Sequence, residues 1–132
     1  MRERHRLSRW GAVVAAVGLF GVSIGRAFGA ELTAAELASR VVGNTIHYRA
    51  EGDDIFEFLA PEGVIRGHSS AHGSYTARWR ILDNDAICFE HDDPMASGCV
   101  AVVLRKGLIE YHRKDGVVEG PFPFLKGNPR GL

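Results

Sequence analysis

The chain has 132 residues, enough for one domain but not for two. Its 16 Lys and Arg balance 16 Asp and Glu over the whole length, but from Ala30 onward 11 basic residues stand against 15 acidic ones, a net charge of −4. A mildly acidic domain without a basic run argues against nucleic acid and anionic membrane surfaces as partners.

The first 29 residues predict a cleavable signal peptide. A head rich in arginine precedes the apolar run Trp10–Gly25, and small residues follow it. This order is typical of export signals, and Ala27 and Gly29 fit the −3 and −1 positions of a cut after Gly29. The alternative is an uncleaved anchor, but the apolar run is shorter than the roughly 20 residues that a membrane span needs. We therefore expect a single periplasmic or secreted domain, residues 30–132, with no stable membrane insertion after cleavage.

A short helix opens this domain. Thr33 and Glu36 have the spacing of a capping box, in which each side chain accepts a hydrogen bond from the other residue's backbone N–H. Gly43 is suited to the left-handed conformation that ends many helices. The pattern predicts a helix from about Ala34 to Val42, with Leu37 and Val41 facing inward.

After Gly43 the hydrophobic pattern alternates, and turn signals recur every eight to twelve residues, as in antiparallel sheets. The segment Tyr75–Leu82 alternates most clearly, with Trp79 on the apolar face. Near the end, Pro121 and Pro123 mark an edge strand or a closing strap, since proline cannot donate to a ladder. The fold class is therefore mainly β: one N-terminal helix and a meander of seven or eight antiparallel strands, curled into a small barrel or strongly bent sheet.

The two cysteines predict a disulfide. If Cys88 faces Cys99 across a hairpin, Ile87 and Phe89 fall on the buried face and the cysteines lie side by side on the other. A zinc site using Cys88, His91, an Asp and Cys99 lacks the usual C-x₂₋₄-C spacing, and a redox pair would be expected as C-x-x-C. The intervening residues are interpreted as a solvated hairpin tip. We predict no metal and no cofactor.

The segment Arg66–Tyr75 is the candidate binding loop. Its polar side chains could contact a ligand or a protein partner: His68, Ser69, Ser70, His72 and Tyr75. It mimics the G-x-S-x-G nucleophile elbow only loosely, because no helix follows it. The least favoured hypothesis is a small hydrolase that uses His72 and a neighbouring serine. Arg78 and Arg80, expected on the wet face of the next strand, form a candidate anion-binding stripe.

Alternation also assigns the remaining large side chains. Glu57, between two phenylalanines, is expected to face solvent. The expected interior side chains, which would form either a ligand site or plain core, are Phe56, Phe58, Trp79, Ile81, Phe89 and Tyr111.

Several motifs together resemble small secreted or periplasmic β-proteins of alphaproteobacteria, a group of unknown function. The motifs are L-T-A-A-E-L, V-G-N-T, G-S-Y-T-A-R-W-R-I, I-C-F and G-C-V, in that order. The resemblance implies a fold and a location but no catalytic residue. A fainter similarity connects S-S-A-H-G-S-Y with a loop of periplasmic C-type lysozyme inhibitors, which are also small disulfide-bearing β-barrels.

These observations favour a non-enzymatic periplasmic binding or envelope-accessory protein. Its partner would be an unknown small apolar ligand or an envelope protein, because a curled sheet can hold the first or present loops to the second. The alternative is an inhibitor of a cell-wall hydrolase that acts through Arg66–Tyr75.

Overall fold

The predicted helix is the first secondary-structure element of the described residues. The computed structural model describes residues 29–132; the predicted signal peptide falls almost wholly on residues 1–28, outside the described residues. The helix α1 consists of an α-helical turn, Ala34–Glu36, continued by a π-helical turn, Leu37–Val41. Both halves of the capping box form, with 3.2 Å from the Glu36 nitrogen to the Thr33 hydroxyl and 3.3 Å from the Thr33 nitrogen to Glu36.

Replacing the cap is expected to weaken this helix modestly. Thr33→Ala removes the acceptor of the Glu36 N–H and should lower the free energy of unfolding by about 1 kcal/mol. Chemical denaturation at equilibrium measures the loss. The matched control is Ser39→Ala, an exposed position of the same helix, and an equal loss there would contradict a specific capping effect.

Eight antiparallel strands follow and close into a barrel in which each strand pairs with its neighbours in sequence, confirming the predicted fold class. The strands are β1 (Thr45–Ala50), β2 (Asp53–Leu59), β3 (Val64–Ser69), β4 (Gly73–Ile81), β5 (Ile87–Glu90), β6 (Gly98–Arg105), β7 (Leu108–His112) and β8 (Val118–Leu125).

The proline-containing strand β8 completes the barrel. It pairs with β7 along most of its length but with β1 only at Thr45↔Leu125 and Ile46↔Phe124. Side chains reinforce this short seam: the Thr45 hydroxyl donates to the Gly127 carbonyl at 2.8 Å, and the Gly127 N–H donates to the Asn44 amide oxygen at 2.8 Å. The predicted closing strap is therefore the strand that joins the two ends of the sheet.

The two ends of the barrel differ. At the end where β1 begins, α1 inserts Leu37 and Val41, both fully buried, into an aliphatic core. We call this the plugged end. The opposite end carries the β1–β2, β3–β4, β5–β6 and β7–β8 connections, and we call it the open end.

The cysteine hairpin has the predicted register. Cys88 pairs with Cys99 and Ile87 with Val100, while the preceding hairpin pairs Trp79 with Phe89. The two sulfurs form a disulfide, and the alternating partners Ile87 and Val100 are buried. The interior assignments of Trp79, Ile81, Phe89 and Tyr111 are likewise confirmed, since all four belong to or pack against the core.

Strand β2 corrects the prediction. Glu57 pairs with the fully buried Ile46 and faces inward with 5% of its surface exposed, so Phe56 and Phe58 lie on the outer face. Alternation alone could not choose, because Ile55 and Leu59 give the Glu57 face an apolar character too. Outside the barrel, Phe56 stacks on its cross-strand partner His47 at 4.2 Å between ring centroids.

Candidate functional site

The barrel interior holds a cavity of about 910 Å³ towards its open end. Apolar side chains form much of its wall, among them Ile55, Phe89, Met95 and Val100. The polar and charged side chains on the wall are Tyr48, Asp53, Glu57, Ser69, His72, Tyr75, His91, Asp93, Ser97, Tyr111, Arg113, Lys114, Asp115 and Glu119. An apolar chamber of this size with a few polar groups is typical of small-molecule sites.

Glu57 is the most deeply placed charged group of this wall. Its cross-strand partner Ile46 belongs to the core, so the carboxylate lies where the cavity meets the packed interior. Its Oε1 accepts a hydrogen bond from the Tyr75 hydroxyl at 2.6 Å, and the His91 Nε2 lies 3.5 Å from the same oxygen. Side chains from β2, β4 and the end of β5 therefore converge on one atom.

A glycine makes this arrangement possible. Gly67 on β3 pairs directly with Tyr75, and a Cβ at residue 67 would lie only 2.2 Å from the Cζ of the tyrosine ring. The ring therefore lies flat over the glycine backbone, which directs its hydroxyl across β3 towards Glu57. An aromatic ring that covers a strand glycine in this way also fills the space left by the missing side chain.

Burial shifts the pKa values of Glu57 and Tyr75. Removal from water raises the pKa of Glu57 above its ordinary 4.5, and the Tyr75 hydrogen bond and His91 only partly oppose the rise. The pKa of Tyr75 is raised as well, because its phenol is desolvated and faces the Glu57 carboxylate. Tyr75 therefore remains a hydrogen-bond donor throughout the neutral range.

The raised pKa of Glu57 predicts a pH-dependent effect of Glu57→Gln on stability. The folded protein holds this proton more tightly than the unfolded chain, so the contribution of Glu57 to stability is complete below about pH 4.5 and is lost as the pH rises through the folded-state pKa. Glutamine has no charge to bury at any pH. We expect Glu57→Gln to gain thermal stability relative to the wild type as the pH increases above about 4.5, measured by differential scanning calorimetry.

The matched control is Glu90→Gln, which removes a carboxylate from the outer face, where Glu90 pairs with Arg80 at 3.2 Å. A pH-dependent gain of the same size in this control would contradict the assignment to the buried Glu57. So would a stability difference between Glu57→Gln and the wild type that stays constant with pH.

Two tyrosines form a second polar group in the wall. The hydroxyls of Tyr48 and Tyr111 are hydrogen-bonded to each other, and Phe89 and Phe122 pack around Tyr111 with ring centroids 5.4 and 5.6 Å away. Burial raises the pKa of both phenols, so both stay neutral. Tyr48 pairs with Ile55 across β1 and β2. Ile55 is two residues before Glu57 and shares its inner face, so the tyrosine pair lies diagonally beside the Glu57 carboxylate.

Asp53 fixes the β3–β4 turn at the open end. It accepts hydrogen bonds from the Ser69 hydroxyl at 2.5 Å, the Ser70 hydroxyl at 2.7 Å and the Ala71 N–H at 3.1 Å. The two serine bonds are the main reason that the pKa of Asp53 is lowered. The turn is thus held in one conformation by a single carboxylate from the neighbouring strand.

The β5–β6 connection positions His91. The Ser97 hydroxyl accepts from the His91 N–H at 2.9 Å and donates to the His91 carbonyl at 3.1 Å, which closes the connection around a short 3₁₀ turn, Pro94–Ala96. The solvated-tip interpretation is therefore wrong for His91, whose side chain is only 15% exposed. It holds for Met95, which is 91% exposed at the mouth of the cavity.

The predicted binding loop is a strand-turn-strand unit, and the barrel separates its five polar residues. Ser69, His72 and Tyr75 line the cavity, while Ser70 belongs to the turn bound by Asp53. His68 does not line the cavity; its Nδ1 lies 3.3 Å from the Ser74 hydroxyl.

The arginines predicted as an anion stripe lie on the exposed outer face of β4. Arg80 pairs with Glu90, and Arg78 is the cross-strand partner of the same glutamate. This carboxylate offsets part of the positive charge on which an anion stripe would depend. Anion binding here stays a prediction.

Sequence reasoning missed three residues of the site: Glu57, His91 and Tyr48. Of these, Glu57 could have been found from Ile55 and Leu59, which share its face, and from its register with Ile46. Alternation does not signal that His91 turns inward, because this residue follows the end of β5 and lies in the connection that Ser97 closes.

Within residues 29–132, no group of three or more His, Cys, Asp or Glu residues is arranged to hold a metal ion. No helix in this part of the chain has the length and apolar character needed to cross a membrane. No protein-family model matches the chain, and comparisons with curated proteins and with solved structures found no significant match.

Proposed function

We propose that this protein is a non-enzymatic binding protein of the periplasm or the extracellular space, which holds a small and mostly apolar ligand inside its barrel. The observation that carries this proposal is the cavity of about 910 Å³, bounded by apolar and aromatic side chains and reached from the open end. The disulfide supports the location, because disulfides persist in oxidising compartments.

The roles of the two serines support binding rather than hydrolysis. The hydroxyls of Ser69 and Ser70 both donate to Asp53, so they stabilise the turn. The Ser69 oxygen also accepts from the Ala71 and His72 N–H groups, at 3.2 and 3.1 Å. A nucleophilic serine is activated by an adjacent base whose pKa lies near the working pH. The group that accepts from these hydroxyls is instead the Asp53 carboxylate, whose lowered pKa makes it a poor base.

Fluorescence titration with N-phenyl-1-naphthylamine, a neutral apolar probe, tests the proposal. We expect saturable binding with enhanced emission by the wild type. Ile55→Trp places a large side chain in the cavity and should abolish binding, whereas Thr76→Trp, on the exposed outer face of β4, should retain it. Equal binding by both variants would refute an internal site. Native mass spectrometry of the protein from its own host would then identify the natural ligand.

The β3–β4 turn, held by its hydrogen bonds to Asp53, favours a second candidate function, inhibition of a cell-wall hydrolase. Three hydrogen bonds to Asp53 hold the turn, and Ser70 and His72 are exposed at its tip, so the turn could enter an active-site cleft with a smaller loss of conformational entropy than a flexible loop. A lysozyme inhibition assay tests this, with Ser70→Ala and His72→Ala as variants. Absence of inhibition by the wild type rejects it.

A further inference from the structure

The floor of the cavity presents an incompletely bonded carboxylate. Glu57 is 95% buried, and both of its contacts, with the Tyr75 hydroxyl and with His91, are made by Oε1. Among the described residues no side chain or backbone group donates to its other oxygen, Oε2. No fully buried side-chain oxygen of the described residues lacks a partner, so Oε2 is open to the cavity and can accept from a ligand, most strongly from a charged donor.

The charge of the wall favours a cation over an anion. Five carboxylates line the cavity against two cationic side chains, Arg113 and Lys114. Arg113 already forms two ion pairs: its Nη1 lies 2.9 Å from Glu119 Oε1, and its Nε lies 4.0 Å from Asp115 Oδ2. An anionic ligand would therefore meet a net negative chamber, and its approach to Glu57 would be unfavourable.

Aromatic side chains lie next to the same carboxylate. Tyr75 bonds to Glu57, the Tyr48–Tyr111 pair lies diagonally beside it, and Phe89 packs on Tyr111 with 5.4 Å between centroids. The faces of aromatic rings attract ammonium groups, and they attract them more strongly where water is excluded. A carboxylate within an aromatic wall is thus suited to a protonated amine attached to an apolar body.

We propose that the ligand carries a protonated amine, which binds the free Oε2 of Glu57 while its apolar part fills the cavity against Ile55, Phe89 and Val100. This inference rests on the proposed function, since it names the ligand class of the same cavity. The titratable groups that face Glu57 are Tyr75 and His91, with the Tyr48–Tyr111 pair beside them. Their raised pKa values keep the three tyrosines neutral, and the amine would place a positive charge at Oε2, which neither Tyr75 nor His91 contacts.

Three indole compounds that differ only in the end group provide the test. Tryptamine, tryptophol and indole-3-propionate are used to displace N-phenyl-1-naphthylamine from the full-length protein at neutral pH. We expect tryptamine to bind at least about tenfold more tightly than tryptophol, and the carboxylate to bind most weakly. Glu57→Gln should reduce tryptamine to the level of tryptophol, while the outer-face variant Glu90→Gln should keep the preference.

The outcomes separate this inference from the proposed function. Equal displacement by all three compounds overturns the amine inference and leaves the binding function intact. A preference for indole-3-propionate, or a tryptamine preference that survives Glu57→Gln, also overturns it. If the naphthylamine probe does not bind the wild type at all, the proposed function fails, and the ligand class fails with it.

Discussion

Gly67→Ala is expected to lower the free energy of unfolding by about 3 kcal/mol, at the upper end of the usual range for overpacking a core. The added methyl group would lie 2.2 Å from Cζ and 2.5 Å from Cε2 of Tyr75, so the ring must leave its position. The backbone of Gly67 does not have the positive φ that favours glycine, and conformational strain therefore does not contribute. Displacing the ring also removes the 2.6 Å hydrogen bond to Glu57.

A double-mutant cycle isolates this clash. Once Tyr75→Ala has removed the ring, adding Gly67→Ala should cost little or even stabilise the strand, because alanine restricts the unfolded chain more than glycine does. Guanidinium denaturation of the four proteins gives the coupling energy. If Gly67→Ala destabilises the protein equally with and without Tyr75, the contact between ring and glycine is not the cause.

Loss of the disulfide is expected to lower the free energy of unfolding by about as much as Gly67→Ala does. Cys88 and Cys99 are 11 residues apart in sequence, and closing a loop of this size stabilises a fold by about 3 kcal/mol in the chain-entropy model. The double variant Cys88→Ala/Cys99→Ala should lose that amount in equilibrium denaturation. It should keep its far-UV circular dichroism, since the barrel hydrogen bonds do not depend on the sulfurs.

Reductant supplies the control for this second prediction. Dithiothreitol should shift the unfolding midpoint of the wild type towards that of the double variant and leave the double variant unchanged. A wild type whose midpoint does not respond to reductant, although its thiols are shown to be reduced, would contradict the stabilising role of the bond.

Much of the barrel could be predicted from local chemistry. The capping box of Thr33 and Glu36 and the register of the Cys88–Cys99 hairpin involve residues close in sequence, and the structure has both. Alternation also assigned Trp79 and Tyr111 correctly, because in β4 and β7 only one face is rich in large apolar side chains.

The candidate site was less predictable because it depends on pairing between strands. In β2 both faces carry apolar residues, and the inner face was decided by partners elsewhere. Tyr75 and His91 compensate the buried Glu57, and His47 stacks on Phe56, which is half-buried on the outer face. The position of Tyr75 depends in turn on Gly67, its partner in β3. None of these relations is visible within a single strand of sequence.

The central claim, that the interior of the barrel is the binding site, is tested most directly by a crystal structure of the protein with N-phenyl-1-naphthylamine. We expect electron density for the naphthyl ring inside the barrel, in contact with Phe89 and Val100 above Glu57. Density for the probe on the outside alone, for example against the exposed Val117 and Val118, with an interior that holds only water, would contradict the claim.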